Sequence, residues 1–144
     1  MKLVPIDFNK PDAGSVLDYA LRYAALGWHV FPVWGAKDGK CQCKRICKSP
    51  AKHPVEHLVP RGQDDATTDE ATIRRWYSAM PEAGVAIFLG PSGLCAIDID
   101  PRNGGFETMD DIEAKHGPLV SDVLAFTQAG GEHRVFKLAS TVKL

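Results

Sequence analysis

Two aspartates, a histidine and a cluster of cysteines carry the chemistry open to this chain. In Leu94-Cys95-Ala96-Ile97-Asp98-Ile99-Asp100-Pro101, the two-residue period of a strand sends Cys95, Ile97 and Ile99 to one face and Ala96, Asp98 and Asp100 to the other. Residues two apart on one strand face lie about 6.5–7 Å apart at Cα. Their carboxylates can therefore share or bracket a divalent cation, and like charges that close call for one. Apolar residues precede the pair, Pro101 ends the strand, and Arg102-Asn103-Gly104-Gly105 supplies a flexible turn beside it. Such carboxylates lie at a sheet rim, open to magnesium and phosphates; a solvated Asp pair at a strand end is the plainer alternative.

The second constellation is Gly130-Gly131-Glu132-His133-Arg134, a glycine turn that opens a strand at His133. Glycine lets the backbone approach a ligand closely, and an imidazole N–H can donate to a triphosphate oxygen. The third is Cys41-Gln42-Cys43-Lys44-Arg45-Ile46-Cys47 followed by His53. It offers the ligand set of a structural Cys3His zinc site, without the CxxC spacing of common zinc ribbons. His57 is a rival fourth ligand, and Cys95 stands apart. Lys40, Lys44, Arg45, Lys48 and Lys52 make the same loop the densest basic patch, a contact for nucleic-acid phosphates or simply a solvated loop. Trp76 is expected in the core with Arg74 and Arg75 exposed, and Trp28 and Trp34 as core and rim.

These groups must be positioned by 144 residues that are 44% hydrophobic and 24% charged, the profile of one globular domain spanning 1–144. The net charge of -1 gives no global attraction to nucleic acid, so such a partner needs a local basic patch. The start, Met1 to Asp7, has no long apolar core or cleavage site, and no run of about 18 apolar residues occurs anywhere. A cytoplasmic protein without a membrane partner is expected, and in a reducing compartment clustered cysteines read as metal ligands rather than disulfides.

Periodicity predicts a first helix over Ser15–Leu26 that Gly27 stops, and a strand over Trp28–Val33 that Pro32 confines to an edge or an end. Residues 35–63 lose periodicity and form a Cys-rich loop that a metal would order. Thr67-Thr68-Asp69 caps a second helix closed by Met80-Pro81. Strands over Val85–Leu89 and Leu94–Asp100, joined by Gly90-Pro91-Ser92-Gly93, are expected to pair as an antiparallel hairpin. A third helix, Phe106–Lys115, stops at His116-Gly117-Pro118, and strands over Val123–Thr127 and Arg134–Leu138 flank Gln128-Ala129-Gly130-Gly131. The mixture predicts an α+β fold with helices on one face of a sheet rather than a doubly wound one.

Together these residues resemble the archaeo-eukaryotic primase superfamily, and most closely the bifunctional primase-polymerase (prim-pol) N-terminal domains of phages, plasmids and mobile elements. That family pairs a hydrophobic-Asp-hydrophobic-Asp strand, here Ile97-Asp98-Ile99-Asp100 followed by Pro101-Arg102-Asn103-Gly104-Gly105, with a small-x-His strand, here Gly131-Glu132-His133. The likeness runs nearly the whole length. It takes in the opening helix and the Trp28 to Pro32 strand, the Cys-rich loop ending Lys52-His53-Pro54, Ala66-Thr67-Thr68-Asp69 ahead of Ile73-Arg74-Arg75-Trp76, and Gly84-Val85-Ala86-Ile87.

The resemblance implies an RRM-like catalytic sheet performing metal-dependent, template-directed nucleotidyl transfer. Mg2+ or Mn2+ would sit on Asp98 and Asp100, and His133, with Gly131 and Arg134 beside it, would contact the incoming dNTP or NTP. Cys41, Cys43, Cys47 and His53 would hold structural Zn2+, and Lys44, Arg45, Lys48 and Lys52 would touch a single-stranded DNA template. A helicase domain or protein is a further expected partner, and the cell would be bacterial, archaeal or phage-infected. Family members carry a third acidic metal ligand on a strand after the histidine strand. Asp110, Asp111 and Asp122 precede His133 and do not qualify, so the domain is expected to be incomplete at its C-terminus. The competing expectation is a catalytically inactive, zinc-stabilised fragment that binds nucleotide or nucleic acid. A phosphohydrolase or nuclease built on the same aspartates ranks last, because further His and Asp ligands are missing.

Overall fold

A computed structural model describes residues 14–121, 123–127 and 129–139; Asp122 and the opening Met1–Asp7 segment lie outside the described residues. The chain divides into two compact units, Met1–Ile87 and Phe88–Leu144. Among the described residues three α-helices are mixed with small sheets of two, two and three strands.

In the first unit, helix α1 (Val16–Ala25) begins at a capping box. The Ser15 hydroxyl accepts from the Asp18 N–H at 3.3 Å while the Asp18 carboxylate accepts from the Ser15 N–H at 2.8 Å, satisfying two otherwise orphaned donors. Gly27 then takes φ +83°, a conformation glycine adopts without a Cβ penalty, and the chain turns into strand β1 (His29–Val33). Further along, Asp69 caps helix α2 (Glu70–Ala79), accepting from the Thr72 N–H at 2.8 Å. Ala20, Val30, Val55, Val59 and Ile73 are fully buried, and Trp76 is 6% exposed. Arg74 pairs outward with Glu70 at 2.7 Å and Arg75 donates to the Thr72 hydroxyl, so Trp76 is core and the arginines are surface.

Pro32 is fully buried within β1. On one side the strand pairs with β4 (Gly84–Phe88). On the other it makes only isolated bridges, Val30 with Thr67 and Val33 with Pro54, while the Pro32 carbonyl accepts from Val55 N–H at 3.1 Å. A residue without an N–H can accept but not extend a ladder. The pairing of β4 with β1 corrects the expected hairpin: the strands on either side of Gly90-Pro91-Ser92-Gly93 belong to different sheets. The turn between them is held by local hydrogen bonds, Leu94 N–H to the Leu89 carbonyl at 2.9 Å and the Ser92 hydroxyl to the Phe88 carbonyl at 2.6 Å.

The Cys-rich segment opens with order of its own. Strands β2 (Ala36–Lys37) and β3 (Lys40–Cys41) form a two-residue hairpin, with Asp38 at φ 51° and Gly39 at φ 73°. This is the left-handed pair that Asp-Gly favours in tight hairpins.

In the second unit, β5 (Leu94–Ile99), β6 (Val123–Phe126) and β7 (Glu132–Lys137) form an antiparallel sheet in the order β5-β7-β6. Strands β6 and β7 pair around the expected glycine turn, and β7 then runs in full register with β5. Helix α3 (Gly105–His116) ends at Gly117, φ +87°, and lies against β5.

Candidate nucleotide and metal sites

Register fixes the first site. Asp98 on β5 is the direct partner of His133 on β7, so both side chains leave the sheet on one face. His133 Nε2 lies 3.4 Å from Asp98 Oδ1, with the side chains 43% and 67% exposed. That separation exceeds a good N–H···O hydrogen bond, and both groups stay open to a ligand.

Asp100 follows the strand with an extended backbone, φ -97° and ψ 114°, so alternation keeps it on the Asp98 face. Its carboxylate is already engaged. It accepts from Arg102 N–H at 3.0 Å, from Arg102 Nε at 3.0 and 3.2 Å, from Nη2 at 2.7 Å and from Asn103 Nδ2 at 3.3 Å. Hydrogen bonds from the Arg102 side chain and backbone hold the Asp100 carboxyl at about 2. The Arg102 guanidinium is pushed up chiefly by its bonds to Asp100, the carboxylate to which it is counterion.

Two glycines press on this strand end. A Cβ on Gly131 would lie 2.6 Å from the Ile99 carbonyl oxygen and 3.1 Å from Pro101 Cδ; one on Gly105 would lie 2.7 Å from both N and O of Asp100. No side chain fits at either position, and this, more than conformational freedom, explains the residue type. At Gly131 the close approach is to the protein's own strand end, Ile99 and Pro101.

Arg134, expected beside His133, pairs in register with Ile97 and so leaves the sheet on the opposite face. There Nε meets Glu132 at 2.7 Å, while Nη1 reaches the Glu113 carboxylate at 2.5 Å and the Leu119 carbonyl at 3.1 Å. The Leu119 N–H and then Arg134 hold Glu113 below the usual carboxylate range. The structure thus brings Asp98, Asp100 and His133 to one face and leaves Arg134 fastening β7 to α3. Arg102 and Gly105 escaped the sequence reading. The signal for Arg102 was local: an Asp before Pro-Arg-Asn can accept from the backbone two residues on.

The second site is the cysteine loop, where one donor atom each from Cys41, Cys43, Cys47 and His53 lies within 4.8 Å of the others. His53 Nε2 is 3.3 Å from Cys41 Sγ and 3.4 Å from Cys47 Sγ. A tetrahedral zinc bound by sulfur and nitrogen has ligand–ligand edges of roughly 3.5–3.8 Å, so the quartet fits that ion in donor type and spacing. Burial opposes ionisation of Cys41. N–H groups of Cys43 and Ala51, then the Cys43 and His53 side chains, outweigh it and bring the thiol down to about 6. At Cys47 burial pushes the thiol up, with the Cys41 charge adding to it. His57 is outside the quartet, its ring 5.7 Å from that of Trp34.

Of the basic residues, Lys44, Lys48 and Lys52 are exposed. Arg45 is paired with Glu56, which also accepts from Trp34 Nε1 at 2.8 Å. Ile46, between them, is fully exposed. Among the described residues no helix is long and apolar enough to cross a membrane.

The family model for the N-terminal domain of bifunctional DNA primase/polymerases matches residues 20–144. The chain belongs to that family, which links it to nucleotides, a DNA template and DNA replication. No curated protein matches it, and no solved structure does.

Proposed function

We propose that the chain forms an RRM-like catalytic core of a primase-polymerase, transferring nucleotides on a single-stranded DNA template during replication of a phage, plasmid or mobile element in the cytoplasm of the host. The observation that carries the proposal is the register pairing of Asp98 with His133, 3.4 Å apart and open to solvent. Asp98 and Asp100 supply hard oxygen donors suited to Mg2+ or Mn2+. Such an ion, when bound, offsets phosphate charge and lowers the barrier to attack by a primer oxygen. His133 donates to the phosphate chain of a dNTP or NTP, and Gly131 keeps the backbone beside it free of a Cβ. Arg134 acts indirectly, by fastening β7 to α3 through Glu113.

In this reading Cys41, Cys43, Cys47 and His53 hold Zn2+, which fixes the loop carrying Lys44, Lys48 and Lys52 against template phosphates, while Arg45 is held by Glu56. A helicase is a natural further partner. The whole span 1–144 acts as one primase-polymerase domain.

One observation favours a binding module without catalysis: Asp100 is committed to Arg102 rather than left open to a cation. Incubation with a primed template, dNTPs and Mn2+ separates the two readings. Incorporation that disappears in Asp98→Asn is expected. Nucleotide and template binding without incorporation supports the module, and synthesis undiminished in Asp98→Asn ends the polymerase reading.

A further inference from the structure

The second unit holds two arginines among its described residues, and they are engaged in opposite ways. Arg134 is 19% exposed and fixed by two carboxylates and a carbonyl. Arg102 is 72% exposed, and every side-chain hydrogen bond it makes among the described residues goes to Asp100. An ion pair this open to solvent is favoured by only a factor of roughly two to five. It nonetheless uses both Asp100 oxygens, the same atoms that a divalent cation would need.

We propose that Arg102 is an exchangeable counterion: it covers Asp100 in the metal-free protein, gives up that carboxylate to a divalent cation, and then turns its guanidinium to the phosphates of the bound nucleotide. The inference rests on the metal reading of Asp98 and Asp100. A carboxylate oxygen coordinating a cation at about 2.0–2.6 Å cannot keep the same lone pairs on a guanidinium. Two cations on one carboxylate also repel, which favours release of the exposed side chain.

Its backbone cannot go far. Arg102 lies in a single 3-10 turn, Pro101–Asn103, whose Gly104 cap is left-handed at φ 69°, and Gly105 is pressed against the Asp100 backbone. The released guanidinium therefore swings from a fixed point beside the Asp98–His133 face. Its planar fork of donors matches phosphate oxygens two at a time, and loss of an interaction with a charged group is worth about a tenfold change in affinity or more. The exchange would keep the carboxylate pair compensated before the nucleotide arrives, with no cost in burying a second cation.

Calorimetric titrations of the full chain test this, using Mn2+ alone and then a non-hydrolysable dATP analogue in saturating Mn2+. Arg102→Ala removes the competitor, so its Mn2+ dissociation constant is expected to fall roughly two- to fivefold. The same variant is expected to bind the dATP analogue about tenfold more weakly. These opposite shifts mark exchange; a residue that merely ordered Asp100 would lose affinity for both. Unchanged or weaker Mn2+ binding in Arg102→Ala, with Asp98→Asn/Asp100→Asn abolishing it, overturns the counterion role and leaves the metal site standing. Mn2+ binding that survives in Asp98→Asn/Asp100→Asn overturns the metal reading and the exchange together.

Discussion

Asp98 and His133 face each other as cross-strand partners of β5 and β7, with Nε2 3.4 Å from Oδ1. The contact is too long to consume the imidazole N–H, which leaves a donor for a phosphate oxygen. His133→Ala is therefore expected to weaken nucleoside triphosphate binding about tenfold, the size of one hydrogen bond to a charged acceptor. The urea midpoint should stay nearly unchanged, since the side chain is 43% exposed. Equal affinities of variant and parent in a fluorescent-nucleotide titration would take His133 out of the nucleotide site.

The cysteine quartet leads to a metal prediction that needs no activity. One zinc per chain is expected by elemental analysis, and Cys47→Ser or a strong chelator should remove it. Structural zinc contributes about 10 kcal/mol or more where it organises a small unit. Losing a ligand should accordingly lower the thermal midpoint by more than about 5 °C. Cys95→Ser is the control: this cysteine lies on β5, outside the quartet, and should retain the metal. Zinc content unaffected by Cys47→Ser would show that the loop is ordered by something else.

Gly131→Ala puts a methyl 2.6 Å from the Ile99 carbonyl oxygen and 3.1 Å from Pro101 Cδ. Neither obstacle is the end of a flexible side chain, so β7 or the strand end must move. The expected loss is about 1–3 kcal/mol, as for overpacking in a filled interior, read from urea denaturation. Gly93, with nothing within 4 Å of its Cβ position but φ +65°, should lose only about 1 kcal/mol to the same substitution through backbone strain. A Gly131→Ala protein as stable as its parent would contradict the close approach.

Much of this arrangement was legible because it is local. Ser15, Asp69, Gly27 and Gly117 mark helix ends through their own side chains or backbone freedom, and α1, α2 and α3 begin and end within a residue or two of expectation. The quartet was legible by donor type despite its unusual spacing. The partner of β4 was not. Gly84–Phe88 is a short apolar strand, and nothing in its composition distinguishes a neighbour beyond a five-residue turn from β1, some fifty residues earlier. The β2–β3 hairpin was readable in principle from Asp38-Gly39, but the cysteines and lysines around it mask the strand pattern. Arg134 lies apart from His133 because adjacency in sequence means, on a strand, the opposite face.

Glu113 gives the stability curve a shape that can be measured. Its folded value is depressed below the ordinary 4.5, so its stabilisation is complete above about that pH and is lost as pH falls through the lower folded value. Glu113→Gln should thus be less stable than the parent at neutral pH, with a shallower decline below pH 4.5 and curves that converge in acid. Parallel curves across that range would mean that the Leu119 N–H and Arg134 contribute no linkage.

The basic loop separates cations available to a template from one that is not. Lys44 and Lys48 are exposed, whereas Arg45 already neutralises Glu56 and would have to break that pair to meet a phosphate. Each phosphate contact on a single strand contributes about 0.7 to the slope of log affinity against log salt. Lys44→Gln/Lys48→Gln is expected to reduce that slope by roughly 1.4 and to weaken single-stranded DNA binding uniformly across sequences. Arg45→Gln, by contrast, should change the slope little. Fluorescence anisotropy over a salt series distinguishes the cases, and if Arg45→Gln flattened the slope as much as the lysine pair, the Glu56 contact would not be the one present in solution.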